Sequence, residues 1–223
     1  MVKRQCFQVF KALLICNYLL IAAGCTKDDS YYMKVTDIEG NVYNTVVIGN
    51  QRWMAENLKT TIFNDGTSFG VINDSQSWIY MPESLYEPWG CCFYNNEEYP
   101  NGITYGVLYN WHAANSSKNI CPTGWHVPNE DDWNTLINFL GGTNVAGGKL
   151  KETGTSHWQN QAIKTTNESG FTALPGGERW ADVTRGFEAI GGQSSWWTVS
   201  LNTTESSRAW VMHINDVSAK PSH

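Results

Sequence analysis

The tightest constraint on this chain comes from its tryptophans. All 11 lie after residue 24, among 20 glycines, in a sequence of which only 16% is charged. Indoles at that density must pack against one another, because each buries far more apolar surface than solvent tolerates. Glycine pairs at 141–142, 147–148, 176–177 and 191–192 divide the chain into short segments. Long helices are therefore not expected; short strands and loops around an aromatic core are. The same aromatic content excludes a disordered or collagen-like chain.

Charge narrows the partners. The net charge is −6, but residues 1–24 contain Lys3, Arg4 and Lys11 and no acid. The remaining 199 residues carry 12 basic against 21 acidic groups, a net charge of −9. Nucleic-acid binding through counterion release needs the opposite sign, so no nucleic-acid partner is expected. Behind Lys3 and Arg4, the run Ala12 to Ala23 is too short to span a bilayer and has the form of a secretory signal. Ile21-Ala22-Ala23-Gly24-Cys25 resembles a bacterial lipobox, which implies cleavage before Cys25 and a lipid anchor on its thiol in the outer membrane. Thr26-Lys27-Asp28-Asp29-Ser30 resembles the surface-export tag of Bacteroidetes lipoproteins, so display on the outer face is expected. Residues 1–24 thus read as signal, 25–33 as a polar tether and 34–223 as one domain. A domain of that size buries roughly 70% of its unfolded surface and needs no staple to fold.

Within the domain, Thr45-Val46-Val47-Ile48, Gly49-Asn50 and Gln51-Arg52-Trp53-Met54 spell a tight hairpin. One helix is predicted over about 130–140. Asn129 can cap it, Glu130 to Asp132 suit its positive end, and Trp133, Leu136, Ile137 and Leu140 form one stripe. Gly141-Gly142 ends it, and a weaker helix is predicted near Tyr109 to Asn115. Residues 60–104 read as long loops or short strands, and Ser195–Val199 with Arg208–Met212 as a strand pair. The class is α+β with short antiparallel sheets.

Three blocks carry a resemblance. They are Ile48-Gly49-Asn50-Gln51-Arg52-Trp53-Met54-Ala55-Glu56-Asn57-Leu58, then Tyr105-Gly106-Val107-Leu108-Tyr109-Asn110-Trp111 running on to Cys121-Pro122-Thr123-Gly124-Trp125-His126-Val127-Pro128, then Ser195-Trp196-Trp197-Thr198 with Ala209-Trp210. Together they resemble the Fibrobacter succinogenes major paralogous domain, over about residues 35–215. The resemblance implies a divergent C-type-lectin-like fold. Trp125 to Trp133 is also similar to the helix start of sulfatase-modifying enzymes. Those enzymes need a redox cysteine pair late in the domain, and no cysteine follows Cys121. Such domains close with a further strand, whereas this sequence runs out at Lys220-Pro221-Ser222-His223. The resemblance therefore implies a missing last strand, an unpaired sheet edge and no partner for Cys121.

The candidate sites are few. With Cys6 and Cys16 in the signal and Cys25 as anchor, Cys91, Cys92 and Cys121 remain, an odd number. A bridge from Cys91 or Cys92 to Cys121, or a thiol nucleophile with His112 or His126 as base, are the sharper readings. No histidine spacing suggests a transition metal, and no cofactor is expected. Asn215-Asp216 offers half of a lectin-type calcium site, but Leu174-Pro175-Gly176 lacks the other half. Sugar rings stack on exposed indoles while amides and carboxylates bond their hydroxyls. Trp158, Gln159, Asn160, Glu178 and Trp180 have that mixture in glycine-rich loops and are the ligand-binding candidates. Trp53, Trp111, Trp125, Trp133 and Trp196 are expected in the core. The function expected is a surface-anchored, non-enzymatic recognition or adhesion module for a glycan or another extracellular ligand. An enzyme related to the sulfatase-modifying type, or a structural subunit assembling through an open edge, are the alternatives.

Overall fold

The computed structural model describes residues 7–9, 33–79, 89–160, 164–182, 184–201 and 209–215. Among the described residues the fold is α+β, with four small sheets and short helices. The first sheet has the order β1-β4-β3-β2, with β1 at Phe7–Val9, β2 at Lys34–Thr36, β3 at Val42–Ile48 and β4 at Gln51–Met54. The predicted hairpin is β3–β4, turning at Gly49, where φ is +64°. Apolar Val46 and Ile48 point inward, and Phe139 lies so close over Gly49 that a Cβ there would sit 2.9 Å from its ring.

The long middle region resolves into short pieces, as its missing period implied. β5 (Gly70–Val71), β6 (Gly90–Cys92) and β7 (Leu108–Tyr109) form a small sheet. Around them lie α1 (Ser75–Ile79), α2 (Ile103–Tyr105) and α3 (Trp111–Ala114). Helix α3 falls inside the weaker prediction, and Asn110 caps it by accepting from the Ala113 N–H.

Helix α4 (Glu130–Phe139) has the predicted capping box. Asn129 Oδ1 accepts from Asp132 N, and Asp132 Oδ2 accepts from Asn129 N, both at 2.9 Å. Gly142 N–H reaches back to Ile137 O and closes the helix. A further helix, α5 (Thr143–Leu150), follows at once. Two glycines inside it lower its intrinsic propensity by roughly 1 kcal/mol each, which is why the sequence hides it. Ala146 and Leu150, both buried in the core, offset that loss.

The second half pairs β8 (Gly176–Arg179) with β9 (Phe187–Ile190), and β10 (Gln193–Leu201) with β11 (Ala209–Asn215). Trp196 of β10 joins Trp53, Trp133 and Phe171 in one aromatic cluster, with ring centroids 4.8–6.0 Å apart. Of the five tryptophans expected inside, Trp53, Trp125, Trp133 and Trp196 are buried, whereas Trp111 is half-buried against Trp197.

Two cysteine expectations are corrected. Cys121 is disulfide-bonded, whereas the resemblance implied no partner for it. Cys91 and Cys92 are free, fully buried thiols in β6, and neither bridges to Cys121. Burial pushes the Cys92 thiol up to about 11 and the Cys91 thiol higher still. A thiol held protonated and sealed from solvent is a poor nucleophile, which removes the catalytic reading of both.

Candidate functional site

Asn57 is where the three blocks of sequence meet in space. It follows β4, and its Nδ2 donates to Tyr105 O at 2.9 Å while its Oδ1 accepts from Trp196 Nε1 at 3.1 Å. Gly106 makes the approach possible. Its φ is +73°, and a Cβ there would lie 2.8 Å from Leu58 O and 3.0 Å from Asn57 Cβ. No other residue type fits a left-handed position pressed against a neighbouring backbone.

This junction forms one wall of an open cleft. A cavity of about 470 Å³ is lined by Asn44, Thr45, Val46, Ala55, Glu56, Asn167, Gly170 and Thr172. A second, of about 190 Å³, shares Ala55, Glu56 and Thr172 with it and adds Asn57, Lys59, Ile103, Thr104, Glu152 and Leu174. The Glu56 carboxylate accepts from Asn44 N at 2.9 Å and from Asn44 Nδ2 at 2.6 Å, so its position is fixed. Glu152 pairs with His157 Nδ1 at 2.8 Å, and the Tyr105 ring makes a T-shaped contact with that imidazole. Burial, and then the Glu152 charge, raise the Tyr105 phenol above its ordinary value.

Two residues that line the cleft have strained backbone. Thr172 sits at φ +57° and Asn167 at +46°. A β-branched residue in the left-handed region costs about 1–3 kcal/mol and persists only where its surroundings hold it there. Here Asn167 does so, accepting from Thr172 N and donating to Thr172 Oγ1, both at 2.9 Å. The cleft thus offers fixed amides, hydroxyls and a carboxylate beside apolar Val46, Leu174 and the exposed Ile103.

The family model described as the Fibrobacter succinogenes major domain matches residues 46–222. The chain belongs to that family. The Fibrobacter succinogenes major domain therefore accounts for the three blocks, and in this member their contact point is the cleft wall at Asn57. No curated protein and no solved structure matches the chain.

The residues singled out in the sequence fall in different places. Trp158 is only 1% exposed, donates through Nε1 to Ala173 O at 3.0 Å and lies under the Lys151 ammonium. An indole so enclosed presents no face to a sugar, and Trp158 is a core residue. Gln159 and Asn160 are exposed, and Gln159 packs over Gly191 at the β9–β10 turn. Trp180 is half-buried, its ring covered by the Arg185 guanidinium 3.6 Å from the centroid. Glu178 is buried in β8 and accepts from Ser195 Oγ at 3.4 Å.

That serine also contacts His213 Nδ1 at 2.8 Å, which brings Ser, His and Glu together. Ser195 is completely enclosed, so no substrate reaches its hydroxyl, and the group ties β8, β10 and β11 together. Neighbouring Arg179 is likewise structural. It lies between the Trp78 and Phe187 rings and donates to Ile72 O at 2.7 Å.

Asn215 ends β11 opposite Gln193, whereas Asp216 and Cys25 lie outside the described residues. Among the described residues no three His, Cys, Asp or Glu side chains are grouped to hold a metal ion. His126 is exposed and pairs with Asp132 of the capping box. The sequence reading missed Glu56, Asn167, Thr172 and Glu152. Glu56 lies inside the first block and was visible there. The others are brought in by loops whose backbone geometry no periodicity announces.

Proposed function

We propose that this protein is a non-enzymatic recognition lipoprotein, held in the outer membrane through Cys25 and displayed outward, whose cleft binds a hydroxyl-rich extracellular ligand, foremost a glycan. The cleft carries this reading. Its polar groups are preorganised by bonds among themselves, Glu56 to Asn44 and Asn167 to Thr172, and strained backbone is retained to keep them so. Fixed acceptors and donors beside apolar patches suit ring hydroxyls and C–H faces, and they lower the ordering cost of binding. The short sheets and loop-rich second half agree with a divergent C-type-lectin-like architecture.

A glycan array tests the ligand. Glu56→Gln keeps the shape of the cleft and weakens its charge-assisted bonds, so retention should fall about tenfold, equivalent to about 1.4 kcal/mol, with the melting temperature unchanged. Trp180→Ala should leave retention intact. Loss with Trp180→Ala but not with Glu56→Gln would move the site to the Trp180 loop and refute the cleft. Membrane fractionation tests the anchor: Cys25→Ala should release the protein.

A further inference from the structure

Helix α4 ends on an aromatic ring that the core does not use. Phe139 lies off the buried stripe of Trp133, Leu136, Ile137 and Leu140, and it is 62% exposed. Part of its ring is laid against Gly49, at the turn of the β3–β4 hairpin. Phe139 borders a hollow of about 670 Å³, larger than either part of the cleft.

The hollow also carries fixed polar groups. Lys149 Nζ and Glu168 Oε1, which both line it, pair at 2.7 Å and are partly exposed. The backbone between them is held as well: Lys149 O accepts from Ser169 N at 3.3 Å and from Ser169 Oγ at 2.8 Å. An ammonium donates to a hydroxyl oxygen and a carboxylate accepts from a hydroxyl, and the pair has no net charge. With an apolar ring face beside them, these groups suit a neutral, hydroxylated ring.

The hollow adjoins the cleft, because the same two pieces of chain border both. In β3, Val46 lines the cleft and Ile48 the hollow, about 7 Å further along the same face of the strand. In the 167–170 turn, Asn167 and Gly170 line the cleft, and Glu168 and Ser169 the hollow. The two pieces touch where Gly170, at φ +72°, meets Val46; a Cβ there would sit 3.0 Å from Val46 Cγ2. Glycine leaves no side chain to raise a wall at that point.

We propose that the Phe139 hollow is a second ring-binding subsite continuous with the cleft, so that the protein takes a linear oligosaccharide lengthwise, with one neutral pyranose ring stacked on Phe139. The inference rests on the reading of the cleft as a glycan site and adds to it a selection for chain length. A single ring fills one subsite; only a chain fills both.

The probes are linear homo-oligosaccharides of glucose, xylose and mannose, each from the single unit to the hexamer, on one array offered to the full-length chain. For a sugar that is retained, the hexamer should be held at least about tenfold more strongly than the single unit, the factor that one aromatic stack supplies. Phe139→Ala should erase that length preference without lowering the melting temperature, since most of the side chain lies outside the core, and Phe139→Tyr should keep it. Hexamer binding should slow hydrogen exchange at residues 47–50 as well as at 167–172. Equal retention of hexamer and single unit, with Glu56→Gln weakening both, would overturn the subsite and leave the cleft reading standing. Retention that needs Phe139 but is indifferent to Glu56→Gln would support the ring site and remove the cleft. Self-association that Phe139→Ala abolishes, with no change in length preference, would assign the ring to a contact between copies and overturn the proposal. Retention of no chain at any length would overturn both readings.

Discussion

The contact between Asn57 and Trp196 is a quantitative test of how the three sequence blocks hold together. Trp196 is fully buried, and its indole N–H donates to Asn57 Oδ1 at 3.1 Å. Asn57→Ala leaves that donor without water or protein, which costs about 1–3 kcal/mol. The Tyr105 carbonyl also loses its bond from Asn57 Nδ2, but residue 105 is only half-buried and water can take the place of the amide. Trp196→Phe removes the donor and trims one ring from the aromatic cluster, a core truncation worth roughly 1–3 kcal/mol. In the double variant no orphaned N–H exists, so the two losses should not add. The combined destabilisation should fall short of their sum by about 1–2 kcal/mol. Urea unfolding of all four proteins, followed by fluorescence at matched m-values, measures the coupling. Additivity within about 0.5 kcal/mol would refute the claim that this bond joins the blocks.

Three other outcomes are expected. Trp158→Ala should destabilise the fold by about 3–5 kcal/mol, and ligand retention should be lost only in step with unfolding. Gly177→Ala should cost at least about 2 kcal/mol in thermal or urea unfolding, because φ is +63° and the new Cβ would sit 2.5 Å from Glu188 O in the paired strand. The thiols give a pH signature. An unfolded cysteine titrates near about 8.5, whereas burial pushes Cys92 up to about 11 and Cys91 beyond. The native state keeps its protons while the unfolded chain gives them up. The contribution is therefore complete below about 8.5 and is lost as pH rises through 11. The double substitution Cys91→Ala and Cys92→Ala should flatten that decline in an unfolding series, whatever it does to stability at neutral pH.

Local signals in this chain were legible where one short window held the whole cause. The Asn129 capping box, the Gly49-Asn50 hairpin and the stripe from Trp133 to Leu140 needed no distant partner, and they appear as read. Helix α5 was hidden because its glycines argue against it locally, and only the core it buries argues for it. Trp158 and Trp180 show the same limit at the level of the site. Both stand in glycine-rich polar loops, yet one is enclosed by Lys151 and Ala173 and the other is half-buried under Arg185. Neighbours in sequence cannot say which ring will be covered.

The sequence alone determined the class of fold, the bounds of the β3–β4 hairpin and of helix α4, and the membership of a family, because these rest on spacing and composition along the chain. It also determined that the aromatic excess belongs first to the core. Tertiary structure alone decided that Asn57 is the meeting point of the three blocks, that Asn167 fixes Thr172 in the left-handed region, and that Glu56 and Glu152 line adjoining hollows. Those facts depend on contacts across up to 139 residues of chain, closed by Gly106 at a backbone approach that no other residue allows. A cleft is made by what faces across it, and that is set by packing.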